Sequence, residues 1–347
     1  MPQYFPTQQR YTALATCFLL CAMFFAGLLS ANESAGKSTG DDVERRRHAF
    51  ITEVSAKHHI STAELSDLLG KAVIKDDILA AISKPVERTY DWTRYKKIFI
   101  QDSRIEAGRQ FMLDNAPALT RAEERWGVPA EIITAIIGVE TKYGNVMGNH
   151  RVIDALATLA FAYPKRAKFF RKELEHFLLL AREQRVDPLQ PLGSYAGAMG
   201  YGQFMPSSYR SYAVDFDGDG TADIWNNKTD AIGSVANYFA EHGWREGGVA
   251  RIALTRNNRP VTLAVLNNSL KPNLRAAQLP AFGFDQPERL SNEAKVALFR
   301  FKSKQGPRYV VGLKNFYVIT RYNHSRLYAM AVLELSERIA VDPGSGT

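Results

Sequence analysis

Apolar positions recur every three or four residues between Asp42 and Ile82, the spacing of helices that bury one face. Ser61 or Thr62 caps the stretch TAELSDLLGKAV, Glu64 sits in its first turn, and Pro85 ends the run. Tyr90 to Phe99 is aromatic and basic and reads as extended, leading into one helix from about Ile105 to Trp126. Pro129 starts EIITAIIGVETKYG, which is apolar on nearly every side and predicts a deeply buried helix. Val152 to Ala162 and Ala167 to Gln184 are two more helical patterns, and Ala231 to His242 another, closed by Gly243.

Past Gly247 the pattern changes. Short apolar runs (VARIAL, VTLAVL, VALFRF) are broken by Asn, Pro and Gly as far as Phe301, which predicts a small, partly β unit. Tyr309–Ile319 and a last helix, Tyr328 to Ile339, complete the chain. The fold class is therefore α+β and mainly helical. The expected organisation is a helical subdomain at 45–93, a core at 94–246 and 311–340, and the partly β subdomain at 247–310.

The N-terminus changes the picture of where the protein works. Arg10 is the only charge before Glu33, and Tyr11 to Leu29 are apolar, followed by the small residues Ser30 and Ala31. That is the pattern of an export signal over 1–31; a stretch of this length could also remain as a membrane anchor. Residues 32–44 are small and polar and read as a flexible tether. Both cysteines, Cys17 and Cys21, lie inside the apolar segment, so the chain beyond it has no disulfides, and neither is placed for lipid attachment. The net charge of +8 loses Arg10 on cleavage, leaving +7. With export arguing against nucleic acid, an anionic envelope polymer is the partner a basic balance suggests; diffuse surface charge serving solubility is the alternative.

The run from Ser194 to Trp225 joins two kinds of chemistry. Asp215, Asp217 and Asp219 alternate and Gly220 stands sixth, the pattern of an EF-hand-like calcium loop. Position twelve is Asn226, which supplies no carboxylate; Asp230 is the next candidate to close the site. The alternative is a metal-free DG-rich turn. If metal binds, an oxygen-only site with no carboxylate near the chemistry reads as a structural brace for the loop. The half before it, Ser194–Ser208, is Gly- and Ser-rich and aromatic, as the wall of a polar groove would be.

One carboxylate stands out in the most apolar helix: Glu140, between Gly138 and Gly144. Burial disfavours the charged form and raises a carboxyl pKa, which suits a general acid near neutral pH. The two glycines would let a ligand or another chain come close. The alternative is a helix-end Glu paired with Lys142 or another cation. The late segment Asn315 to Tyr328 offers the aromatic faces and amides that bind sugars, or is an ordinary strand, turn and helix.

Five blocks together, IIGVETKYGNVMGNHRVIDALATLAF, GSYAGAMGYGQFMPSSY, DFDGDG, DAIGSVANYFAEHGW and ITRYNHSRLYAMAV, resemble the B-type membrane-bound lytic murein transglycosylases of Gram-negative bacteria. The resemblance spans roughly residues 45 to 340 and implies a lysozyme-like core with added α and β subdomains. It implies non-hydrolytic cleavage of the β-1,4 bond between N-acetylmuramic acid and N-acetylglucosamine in peptidoglycan, leaving 1,6-anhydromuramic ends. Cell-wall remodelling proteins are possible partners, the periplasm is the expected location, and no organic cofactor is expected.

Residue by residue, the resemblance assigns Glu140 as acid and base and Ser194 and Gln203 as hydrogen-bonders. It places Tyr95, Tyr238, Tyr322, Asn323 and Tyr328 along the cleft, and Lys165 and Arg166 against peptide or carboxylate groups. At Lys165 the bidentate recognition of an Arg is lost. Calcium would be held by Asp215, Asp217, Asp219, the backbone of Thr221, and Asp230. A lysozyme-type hydrolase and a non-catalytic peptidoglycan-binding protein are the rival readings.

Overall fold

The computed structural model of the chain describes residues 40–83 and 90–341; the expected export segment, 1–31, lies outside them. Three helices open the described chain: α1 (Gly40–His58), α2 (Thr62–Gly70) and α3 (Asp76–Ile82). The first begins inside the expected tether, with Asp41 and Asp42 in its first turn, where acidic groups complement the helix dipole.

Two sequence expectations are corrected in the next segment. Residues 92–99 are a helix, α4 (Trp92–Phe99), not an extended stretch; the Asp91 side chain accepts from Arg94 N, and Trp92, Tyr95 and Phe99 bury one face. Aromatic composition favours strands, but this three-and-four spacing is helical. The expected helix 105–126 is two, α5 (Asp102–Asp114) and α6 (Ala116–Trp126). They meet at Asn115, because Pro117 has no N–H to continue the ladder and sits in the first turn of α6.

α7 (Ala130–Thr141) lies at the centre, packed on α5, α6, α11 (Lys228–Glu241) and α13 (Arg326–Ala340). Nine of its residues are buried, as its all-round apolar sequence requires. A two-stranded ribbon, β1 (His150–Arg151) with β2 (Leu192–Gly193), ties the turn after α7 to the Ser194 loop. Between these strands run α8 (Val152–Ala162) and α9 (Ala167–Glu183), and α10 (Pro206–Tyr212) follows the loop.

The small antiparallel sheet has the order β3 (Arg251–Ala253), β6 (Arg308–Gly312), β5 (Lys295–Phe301), β4 (Leu274–Arg275). Successive side chains on a strand point to opposite faces. On β5, Val296 and Leu298 join a small core of their own with Leu279 and Phe284, whereas Ala297, Phe299 and Phe301 join the main core. Both faces are covered, so VALFRF reads as a continuous apolar run. α12 (Lys314–Tyr322) leaves the sheet and leads through Asn323 into α13. Among the described residues, no helix is long and apolar enough to cross a membrane.

Candidate active site

Glu140 occupies the last turn of α7, and the chain then reverses through three consecutive left-handed residues: Lys142 (φ 50°), Tyr143 (φ 60°) and Gly144 (φ 91°). Two of these are not glycine, so the turn stores backbone strain of the kind found where geometry serves function. Thr141, fully buried, holds it: the hydroxyl bonds the carbonyls of Ile137 and Tyr201 and accepts from Gly144 N.

The expected openness at the glycines takes a different form. A Cβ on Gly138 would lie 2.5 Å from the Tyr143 hydroxyl, and one on Gly144 would strike the Tyr201 ring. The groups that come close are tyrosines of this chain rather than a ligand. They pack the turn and leave Glu140 part-buried.

Tyr328, fully buried on α13, donates its hydroxyl to Glu140 Oε1 at 2.6 Å. Burial pushes the Glu140 pKa up to about 7, while the Tyr328 hydrogen bond pulls the other way. No charged neighbour enters that balance, so pairing with Lys142, which is exposed, is not the arrangement found. Burial and the Glu140 charge push the Tyr328 hydroxyl well above its ordinary range, with Tyr322 and Tyr95 also facing it. The hydroxyl is therefore a donor at neutral pH.

Of the other expected positions, some line up beside this pair and others support it. The Tyr322 hydroxyl donates to Gly202 O at 2.6 Å, pinning the Gly-rich loop to α12. Tyr238 packs edge-on to Tyr322, with centroids 4.7 Å apart, and its hydroxyl donates to Arg321 O, so this ring buttresses Tyr322 from behind. Gln203 (φ 50°) donates to Met147 O and Gly200 O, clamping the two loops together. Ser194 is buried, and its Oγ accepts from Ala198 N to close a tight turn. Asn323 is buried at the joint of α12 and α13. Lys165 is exposed; Arg166 stacks over Phe169 and Phe170, and the Tyr195 hydroxyl and Glu173 face it.

Gly148 (φ 103°), two residues before β1, lies against the end of β2, and a Cβ there would run into the Gly193 carbonyl. Backbone meets backbone, so neither side can yield. Gly148→Ala is expected to destabilise by about 2–3 kcal/mol and to displace Ser194 from the Glu140 turn. Thermal melts together with sacculus-clearing assays check this; an unchanged melt would show that the ribbon does not hold the site.

Asp215, Asp217, Asp219 and Asp230 bring one oxygen each to within 4.8 Å of one another. The loop is wound by its own amides: Asp215 accepts from Gly218, Asp219 and Gly220, and Asp219 accepts from Thr221. Asp230, buried at the start of α11, accepts from Phe216 N and Asp223 N and so grips both ends of the loop. Asn226 and Asp223 bond one another instead and stand outside the cluster. Four carboxylates with no nitrogen or sulfur donor suit a hard cation.

Three residues here were not singled out by pattern: Thr141, Tyr201 and Asn227. Asn227 caps α11 by accepting from Thr229 and Asp230 N, and donates to Asp217 Oδ2, joining loop to helix. Its signal is an Asn three residues before a buried Asp. Thr141 had one too, as a polar neighbour of Glu140 in an apolar helix.

The chain as a whole matches known proteins. Residues 42–337 match the transglycosylase SLT domain. The chain belongs to this family. It is 45% identical over 301 residues to the membrane-bound lytic murein transglycosylase B of Escherichia coli K12, covering 84% of this chain and 82% of that one. The soluble lytic transglycosylase SltB1 of Pseudomonas aeruginosa superposes with a TM-score of 0.81 at 49% identity, over 85% of this chain and 98% of that one. The Escherichia coli lytic transglycosylase Slt35, solved in complex with calcium, does so at 0.78 and 42%, over 90% and 98%.

Proposed function

We propose that this chain is a peptidoglycan lytic transglycosylase that breaks the β-1,4 bond between N-acetylmuramic acid and N-acetylglucosamine without water, using Glu140 as acid and then base. The observation that carries the reading is the solitary Glu140. Burial pushes its carboxyl pKa up to about 7, the Tyr328 hydroxyl holds it, and among the described residues no second carboxylate enters that balance.

A hydrolase of the two-carboxylate kind needs a second acid across the bond. One carboxyl suits an intramolecular route. Glu140 gives its proton to the bridging oxygen as the C1–O bond breaks, and the substrate's N-acetyl group stabilises the sugar cation. The Glu140 carboxylate then removes the C6 hydroxyl proton as O6 closes on C1. The acid is restored and no water is consumed; the tethered hydroxyl gains from proximity what free water lacks. Tyr95 and Tyr322 are buried beside Tyr328, so instead of lining the cleft as expected they would hold its hydroxyl in place from behind, and Ser194, Gln203, Tyr238 and Asn323 would hold the cleft wall. Lys165 and Arg166 would meet the stem peptide.

Calcium, held by Asp215, Asp217, Asp219, the Thr221 carbonyl and Asp230, would brace that wall, supplying charge neutralisation alone. The periplasm is the place of action, on the strength of the Tyr11–Leu29 segment.

Mass spectrometry of digested sacculi tests the reading. Products are expected to be lighter by one water than reducing muramic ends, and the rate is expected to fall as pH rises through about 7, where Glu140 loses its proton. Reducing ends as the main product would make the enzyme a muramidase.

A further inference from the structure

A cleft of about 590 Å³ opens where the small sheet meets the helical body, and neither Glu140 nor Tyr328 lines it. Four cations converge on it from four separate chain segments: Arg245 after α11, Lys271 before β4, Lys295 on β5 and Lys314 at the start of α12. The one carboxylate in the lining, Glu293, leans to Arg275 at 3.7 Å, and among the described residues none of the four cations forms an ion pair. Lys314 donates to His242 O, and burial followed by the Arg245 and Lys271 charges lowers its pKa. Like charges gathered without ion-pair partners repel one another, and an anion between them would relieve the repulsion.

The remaining walls say what kind of anion fits. Val249, Pro272 and Tyr317 give the cleft an apolar side, and Val249 is 44% exposed. Alkyl groups carrying carboxylates match this mixture better than a bare phosphate does. The cleft is also joined to the acid. α12 starts in its wall and ends at Tyr322, beside Tyr328; nine helical residues place those ends about 12 Å apart.

We propose that this cleft is a second substrate-binding site, which grips carboxylates of the peptidoglycan stem peptides while Glu140 acts on the glycan. The proposal rests on the peptidoglycan reading given above. Arg245, Lys271, Lys295 and Lys314 supply the charge, and Tyr317 and Val249 receive the alkyl portion of the peptide. Grip at a distance from the cut would keep the enzyme on the polymer between cleavages.

The test is co-sedimentation of the whole protein with purified sacculi at low ionic strength. One sample is native; in the other the carboxylates are capped with ethanolamine. Wild type is expected to bind native sacculi about tenfold better than capped ones, and Lys271→Glu/Lys295→Glu to lose that preference. Both lysines are exposed, so the variant should melt as wild type; Lys271→Gln/Lys295→Gln, with a smaller loss, replaces it if it does not fold. Undiminished binding of native sacculi by the folded variants overturns the proposal. So does a loss confined to vesicles of phosphatidylglycerol, which would make the partner a membrane. Failure to find anhydro products would overturn the cleavage reading, and is read by mass rather than by this binding difference.

Discussion

Glu140→Gln is expected to lower sacculus cleavage by at least about 10³-fold while making the protein more stable. The two effects have one cause. Burial lifts the carboxyl from 4.5 to about 7, so the fold favours the protonated form that chemistry needs and opposes the ionised one. The sign follows from proton uptake. Below pH 4.5 the group is neutral whether folded or unfolded and contributes nothing. Between 4.5 and about 7 the unfolded chain ionises first, so stability falls as pH rises; above 7 the penalty is complete, at most about 3 kcal/mol. Gln has the same shape, stays neutral, and can still accept from Tyr328. The variant should therefore match wild type near pH 4 and out-melt it at pH 8, with activity absent at both. Denaturant titrations at the two pH values, run beside muropeptide release, decide it. Activity within tenfold of wild type would remove Glu140 from the chemistry, and equal stability at pH 8 would show that its carboxyl is better solvated than the structure indicates.

Much of this was legible from residues, and what was missed has physical reasons. The all-round apolar character of 130–141 placed α7 in the core, and a lone acid there pointed to Glu140 without any structure. The Asp215–Gly220 spacing likewise announced an oxygen-lined loop. The expected extended stretch at 90–99 failed because Trp92, Tyr95 and Phe99 were weighed by residue type, when their spacing carried the information. The long helix at 105–126 failed because one Pro, two residues after Asn115, is easily lost among helix formers. The Glu140–Tyr328 hydrogen bond joins residues 188 apart in sequence, and no local pattern reports a contact of that range. Nor could composition tell that the rings of Tyr143 and Tyr201 fill the space beside Gly138 and Gly144.

Removing calcium and removing Asp230 should destabilise the loop in different ways, and the difference tests the metal. The side chains of Asp217 and Asp219 are exposed, so Asp219→Ala is expected to leave the metal-free protein almost unchanged. Its effect should appear only with calcium present. At a concentration a hundredfold above the dissociation constant a bound ion stabilises by about 2.7 kcal/mol, or about 5–8 °C in a domain of this size, and the variant should forfeit most of that. Asp230 is another matter, because its buried carboxylate holds Phe216 N and Asp223 N whether or not an ion is present. Asp230→Ala would strand both amides and should cost about 2–4 kcal/mol in chelator and in calcium alike. Thermal melts of the three proteins with EDTA and with calcium separate these roles. If calcium leaves the wild-type melt where EDTA puts it, the acidic loop is held by its amide hydrogen bonds alone, and the brace beside the Glu140 groove is the α11 cap at Asn227 and Asp230.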